Sequence, residues 1–352
     1  MIRLGNKKNI NFNEINCNSN KSNFTIITKN KVILFQKEIK TEEMLLNEIN
    51  GYNIIKNHYK VPKRISIDKN KIIYKFKLSL IKYTLHDIFY NDGFNNEFIY
   101  KIYFKNIYYQ YKKNLKKRTL ISENLSKNHV FFKKRSNLLL ELINSNTLSK
   151  EFIYNGVKYD LNTIIYETYS ILNKNKSVLC FLTQGDPTDT NISIYGDFTD
   201  FENGGYNSIV GEISIAFASF VSHGSYFYPK YHSNAYNFRP VILNKCNKYK
   251  PQKKQECNFN NEYHFFINNK SLSFFKGYIN CIIKNLDSNE LLDINKYIKY
   301  YIIMRLLTPI SYLNMTKEDQ NIISSYIVNV YNSINSIKDI LDFIDEFIIV
   351  KE

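Results

Sequence analysis

Three side chains carrying hard oxygen donors lie close together in this chain: Asp186, Asn191 five residues on, and Asp200 beyond a short stretch patterned as a hairpin. Magnesium takes oxygen ligands of this kind, commonly one or two carboxylates or amides completed by phosphate oxygens. Phosphoryl transfer from a nucleotide asks little covalent chemistry of a protein. It needs a divalent cation bridging phosphate oxygens, a group that holds the acceptor hydroxyl, and a cation on the phosphates. The stretch Thr183-Gln184-Gly185-Asp186-Pro187-Thr188-Asp189-Thr190-Asn191, then Asp200-Phe201-Glu202, contains such parts, and Gly185-Asp186-Pro187 would hold Asp186 in a turn. Asp-x4-Asn alone arises by chance in an Asn-rich chain; the order of all these pieces together is far more specific.

The elements that must position these residues are legible in part. Phe24–Thr28 and Val32–Lys37 are β-rich runs joined through Lys29-Asn30-Lys31. Thr41-Glu42-Glu43 opens a helix whose apolar positions Leu45, Ile49 and Tyr52 follow a 3.6-residue period. Val61–Ile67 and Ile72–Phe76 predict two further strands. From Thr84 onward the spacing is mostly helical, near Phe98–Tyr111, Asn137–Ile143, Asn162–Asn173, Ser271–Ile283, Ile294–Leu307, Lys317–Ser333 and Ile337–Ile348. A strand-like island, Asn191–Tyr195 and Phe198–Phe201 about a Gly196-Asp197 turn, interrupts the helices, and Lys245–Asn261 reads as an exposed polar loop. The expectation is an α+β, two-lobed chain: residues 1–80 a small lobe, a connector near 77–83, and 84–352 a larger, mainly helical lobe.

Gly185-Asp186-(four residues)-Asn191 with Asp200-Phe201-Glu202 resembles the aminoglycoside phosphotransferase and choline kinase family, a branch of the protein-kinase-like fold. The resemblance implies that Asp186 orients or deprotonates the acceptor hydroxyl and that Asn191 and Asp200 bind Mg2+. Lys37 stands where the family Lys meets the α- and β-phosphates of ATP, with Glu48 as its partner and Glu42 as the fallback. Glu48 lies about 65° from the centre of the Leu45/Ile49/Tyr52 stripe, and a carboxylate at that edge calls for a cation if buried. Glu212, where Asp is usual, corresponds to an acidic brace at a helix start. Ser19–Ser22 sits where a phosphate-covering loop belongs, so Ser19 and Ser22 are nucleotide candidates. His223, Tyr226, Tyr231 and His232 follow the braced helix, where this family builds its acceptor wall. Two departures stand out: Gln184 replaces the usual His, and Cys17–Asn23 contains no Gly. The implied architecture is a five-stranded antiparallel sheet with one helix beside a helical body.

The neighbouring residues have plainer readings. Asp189 is expected to face solvent and Glu202 to pair locally or reach a second metal ion. The six His show no ligand spacing, and Arg305 reads as ordinary C-terminal packing.

Composition bounds the rest. Hydrophobic residues make up 44% of 352, enough to demand a core, so disorder is excluded. The five Cys form no CxxC pair, against a disulfide framework or zinc site. The start has no apolar segment of a secretory signal and Ile213–Val221 is too short to span a bilayer, so a cytoplasmic protein with no membrane association is expected. A net charge of +16 attracts anions, but the Lys are spread from end to end, which argues against nucleic acid as a partner. The expected partners are ATP, Mg2+ and a small hydroxylated acceptor. A non-catalytic nucleotide-binding scaffold, a protein kinase and a basic nucleic-acid-binding protein are the competing classes. Acceptor identity, ATP against GTP, and oligomeric state are not written in these motifs.

Overall fold

Short strands with tight connections build the first part of the molecule. The computed structural model describes residues 14–18, 22–29, 32–76, 84–90, 96–193, 195–236, 245–254 and 261–351. Strands β1 (Glu14–Asn18), β2 (Ser22–Lys29), β3 (Val32–Ile39), β4 (Lys63–Asp68) and β5 (Lys71–Phe76) form one antiparallel sheet in the order β1-β2-β3-β5-β4. Helix α1 (Glu42–Ile55) leaves β3 with Thr41 as its N-cap, the hydroxyl accepting from Met44 N, and Glu42 and Glu43 complement the dipole in the first turn. Its buried face is Glu48, Gly51, Tyr52 and Ile55, so it is turned toward Glu48 relative to the expected Leu45/Ile49/Tyr52 stripe. A charged residue at its centre overrides the apolar count because Glu48 has partners there.

Gly51 lets α1 touch the site. A Cβ at this position would lie 1.8 Å from the Phe201 carbonyl oxygen, so only glycine permits the approach. The Tyr52, Tyr74 and Phe201 rings then pack edge-on or tilted, with centroids 5.2–5.9 Å apart, joining helix, sheet and the segment after Asp200.

The remainder is mixed helices and small sheets around a continuous apolar core. Strands β6 (Thr119–Asn124), β9 (Asn175–Thr183) and β10 (Gly205–Ser208) pair antiparallel as β10-β9-β6, beyond the small hairpin of β7 (Phe152–Tyr154) and β8 (Val157–Tyr159). β9 carries no alternation because Val178–Thr183 is buried on both faces, which hides it from periodicity. Helix Ile209–Phe217, buried throughout, leaves β10 and packs on helix Ile298–Leu307.

Several expectations need correction. The Asn191–Phe201 hairpin is reduced to single bridges, Ile192 with Phe198 and Thr84 with Ser193. Ser193 Oγ accepts from Tyr195 N and Asp197 N, and such local side-chain bonds replace a ladder. The helix expected over Ile294–Leu307 is two, Ser288–Asn295 and Ile298–Leu307, with Asn295 turned to accept from Ile337 N. Lys245–Asn261 is not simply an exposed loop: Cys246 and Tyr249 are buried, and strand β11 (Gln252–Lys253) pairs with β12 (Tyr263–Asn268). The chain closes with β13 (Ile348–Lys351) parallel to β12. The expected connector at 77–83 and Ser19 lie outside the described residues; Ser22 opens β2.

Candidate active site

β9 delivers its last residue, Thr183, to a turn that only glycine can make. Gly185 has φ +82°, and a Cβ there would sit 2.0 Å from the Asn203 carbonyl oxygen. Gln184, fully buried, then fastens two segments at once. Its Oε1 accepts from Asp186 N at 2.9 Å, while Nε2 donates to the carbonyls of Thr199, at 2.9 Å, and Asp200. An amide offers a donor and an acceptor on the same group, so Gln184 fixes Asp186 relative to Asp200.

Asp186 and Asn191 meet directly: Asn191 Nδ2 donates to the Asp186 carbonyl at 3.1 Å and to its carboxylate at 3.3 Å. Asp200 occupies the left-handed region with φ +60°, unusual for a residue with a Cβ. Lys37, on β3, reaches it across 163 residues of sequence, Nζ to Oδ1 at 2.6 Å. The same ammonium donates to Glu48 Oε2 at 2.9 Å. Glu48 also accepts from Tyr74 OH at 2.8 Å and Phe201 N at 3.0 Å. Burial works to lower the Lys37 pKa, but Asp200 and Glu48 outweigh it and hold the ammonium protonated, well above its ordinary value. Glu42, the fallback partner, stays in the exposed first turn of α1.

Glu212 lies at the start of its helix, capped by Ser208, and accepts from Thr183 Oγ1 at 2.7 Å with His129 Nε2 at 3.1 Å. It thereby grips the end of β9, and burial lowers the His129 pKa despite this carboxylate.

Asp189 does not face solvent. It is buried, and its carboxylate meets His86 Nδ1 at 2.5 Å and Ser219 Oγ at 3.3 Å. Glu202 takes Lys134 Nζ on its carbonyl at 2.7 Å. The four wall candidates bond to C-terminal segments: His223 Nε2 with the Leu306 carbonyl, Tyr226 and Tyr231 with Asp319, and His232 Nε2 with the Pro309 carbonyl.

Arg305 is the residue that sequence reasoning missed. It is 2% exposed, and Nη2 lies 3.4 Å from Asp186 Oδ1 and 3.1 Å from Tyr228 OH. The available signal was an arginine between Met304 and Leu306 in an otherwise apolar helix turn. Burial pushes the Asp186 carboxyl up to about 6, with Asp200 adding to the rise and Arg305 opposing it.

Among the described residues, no group of three or more His, Cys, Asp and Glu is placed to hold a metal ion. Asp200 and Asn191 offer a carboxylate and an amide, and the Asp200 side chain is 37% exposed. That donor set fits a hard cation whose remaining ligands come from water and phosphate.

No family model and no curated protein matches the chain. Among solved structures, an ethanolamine kinase from Plasmodium vivax is similar at 14% identity and a TM-score of 0.41, over 91% of this chain and 76% of that one. Amicoumacin kinase hAmiN, in complex with AMP-PNP, Ca2+ and Ami, is similar at 12% identity and 0.35, over 92% and 89%. A choline kinase from Cryptosporidium parvum is similar at 11% identity and 0.37, over 96% and 90%.

Proposed function

We propose that the protein is an ATP- and Mg2+-dependent phosphotransferase that moves the γ-phosphoryl group to a hydroxyl of a small molecule. The observation that carries this reading is the Lys37 ammonium held between Glu48 and Asp200, beside the Asp186–Asn191 pair. Residues 1–80 form the nucleotide lobe and 84–352 the catalytic and acceptor lobe in this proposal, with Ser19 and Ser22 near the phosphates. Mg2+ held by Asn191 and Asp200 would neutralise phosphate charge. Lys37 orients the α- and β-phosphates. Asp186 positions the acceptor hydroxyl and takes its proton as the oxygen bonds to the γ-phosphorus; the bond from that phosphorus to the β–γ bridging oxygen breaks, and ADP leaves with the electron pair. A carboxyl whose pKa stands at about 6 is ionised yet basic enough for that proton near neutrality.

Thermal unfolding with Mg·ATP tests the assignment. Wild type is expected to be stabilised only when nucleotide and Mg2+ are both present, and Asp200→Ala to lose the metal-dependent part. Asp186→Asn is expected to keep the shift and lose ADP release with acceptor. Identical responses of wild type and Asp200→Ala to Mg·ATP refute the site.

A further inference from the structure

Arg305 packs on the Phe131 ring, and so does a second guanidinium. The Cζ of Arg135 lies 3.7 Å from the ring centroid and that of Arg305 3.9 Å from the same point. Two like charges brought onto one ring repel, and such a pair persists where negative charge adjoins it. Asp186 supplies one carboxylate, through a single long contact with Arg305 Nη2. Arg305 Nε and Nη1 are buried and have no hydrogen-bond acceptor, and a buried, unmet donor on a charged group is costly. Arg135 is half-buried and spends Nη1 on the Phe131 carbonyl at 3.1 Å.

Of the nearby acids, Asp189 meets His86, Asp319 meets Lys230 and Asp200 meets Lys37, while Glu202 joins Asp186 in acting on Arg135. What is left over beside Asp186 is therefore donor capacity, on Arg305 Nε and Nη1. We propose that Arg135 and Arg305 form an anion subsite on the acceptor side of Asp186, so that the acceptor carries a carboxylate or phosphate group beside its hydroxyl. This rests on the phosphotransferase reading above. Arg135 is the accessible half, placed to bind the anion through its remaining donors, and Arg305 stands behind it against Asp186. A cationic amino alcohol would be repelled from the same position.

The test uses the full chain and four probes, D-glycerate, glycerol 3-phosphate, neutral glycerol and cationic ethanolamine, each titrated with and without Mg·ATP and read by thermal shift and ADP release. The expected result is that at least one anion binds wild type ten-fold or more tightly than glycerol or ethanolamine. Which of the two anions prevails separates carboxylate from phosphate. Arg135→Gln is expected to erase that preference and leave the Mg·ATP shift unchanged; an anion held by Lys37 alone would survive the substitution. No anion response in wild type, ethanolamine or glycerol binding as well as the anions, or a preference retained in Arg135→Gln overturns the proposal. A chain that ignores Mg·ATP but keeps an Arg135-dependent anion response would refute the phosphotransferase reading and not the subsite.

Discussion

Lys37 and Arg305 are both buried cations that meet a carboxylate of the 186–200 segment, yet their surroundings are opposite. Lys37 faces two carboxylates, and Glu48 completes its bonding with Tyr74 OH and Phe201 N. Arg305 shares one carboxylate with a second guanidinium and keeps two buried donors unmet. A buried ion with every partner present holds segments together. A buried ion with donors to spare marks charge that a ligand can complete. On that difference the lysine side is a latch between sheet and loop, and the arginine side is where recognition of the acceptor is expected.

The substitution with the largest expected effect is Asp186→Asn, because it touches both chemistry and the arginine side. In the proposed reaction Asp186 takes the hydroxyl proton, so its loss should lower turnover by roughly 10²- to 10⁴-fold, with the Mg·ATP thermal shift preserved. It also leaves Arg135 and Arg305 facing no carboxylate at that position, so anionic probes should bind more tightly than in wild type. Unchanged turnover would remove Asp186 from the reaction.

Glu48→Ala tests the latch. It strips Lys37, Tyr74 and Phe201 N of one shared acceptor, and breaking a buried pair by removing one partner costs about 3–5 kcal/mol. Urea denaturation should show a loss of that order. A loss below about 1 kcal/mol would show that the lysine side is no better satisfied than the arginine side, and the contrast would fail.

The same contrast explains what the sequence made legible. Asp186, Asn191 and Asp200 lie within one short stretch, so their closeness in the fold is readable from spacing alone. Lys37 and Glu48 were readable because a carboxylate beside an inward helical stripe demands a cation. Arg305 pairs with a residue 119 positions away, and His86 with one 103 away; neither partner is visible from local spacing. Asp189 was misread for that reason, since nothing in a polar loop announces a buried histidine. The acceptor-wall candidates His223, Tyr226, Tyr231 and His232 bond to C-terminal segments through contacts that local spacing does not show, and Tyr228 of the same run is bonded to Arg305. β9 escaped because a strand buried on both faces has no period to detect.

A smaller effect is expected at Gln184, which spans the two sides by bonding to Asp186 N and to the carbonyls of Thr199 and Asp200. Gln184→Ala leaves these half-buried groups without that partner, at a cost of about 1 kcal/mol or a little more, measurable as a shift in denaturation midpoint. Gln184→His, which restores the residue usual in the resembled family, should recover part of the loss. If Gln184→Ala is neutral, the two sides are positioned independently.

The smallest effect concerns His223, which extends the contrast to pH. Its Nε2 bonds to the Leu306 carbonyl at 3.0 Å, its Nδ1 meets Ser222 Oγ at 2.8 Å, and Arg305 and His232 are the charged or titratable groups that act on it. Burial, helped by the Arg305 charge, pushes its pKa down to about 3 from the ordinary 6.5. The unfolded chain then takes up a proton below about pH 6.5 that the folded chain refuses. Stability from this residue is complete above about 6.5 and is lost as pH falls toward 3, at up to about 1.4 kcal/mol per pH unit. Between pH 7 and 5.5 the loss should be about 1 kcal/mol, read as the difference in urea-derived stability. His223→Gln cannot titrate, so its stability should fall less over that interval by the same amount, whatever its level at pH 7. Parallel slopes for the two proteins would mean that His223 gains a proton in the folded state as readily as in water, and the burial that depresses its pKa, with the smaller push from Arg305, would not operate there.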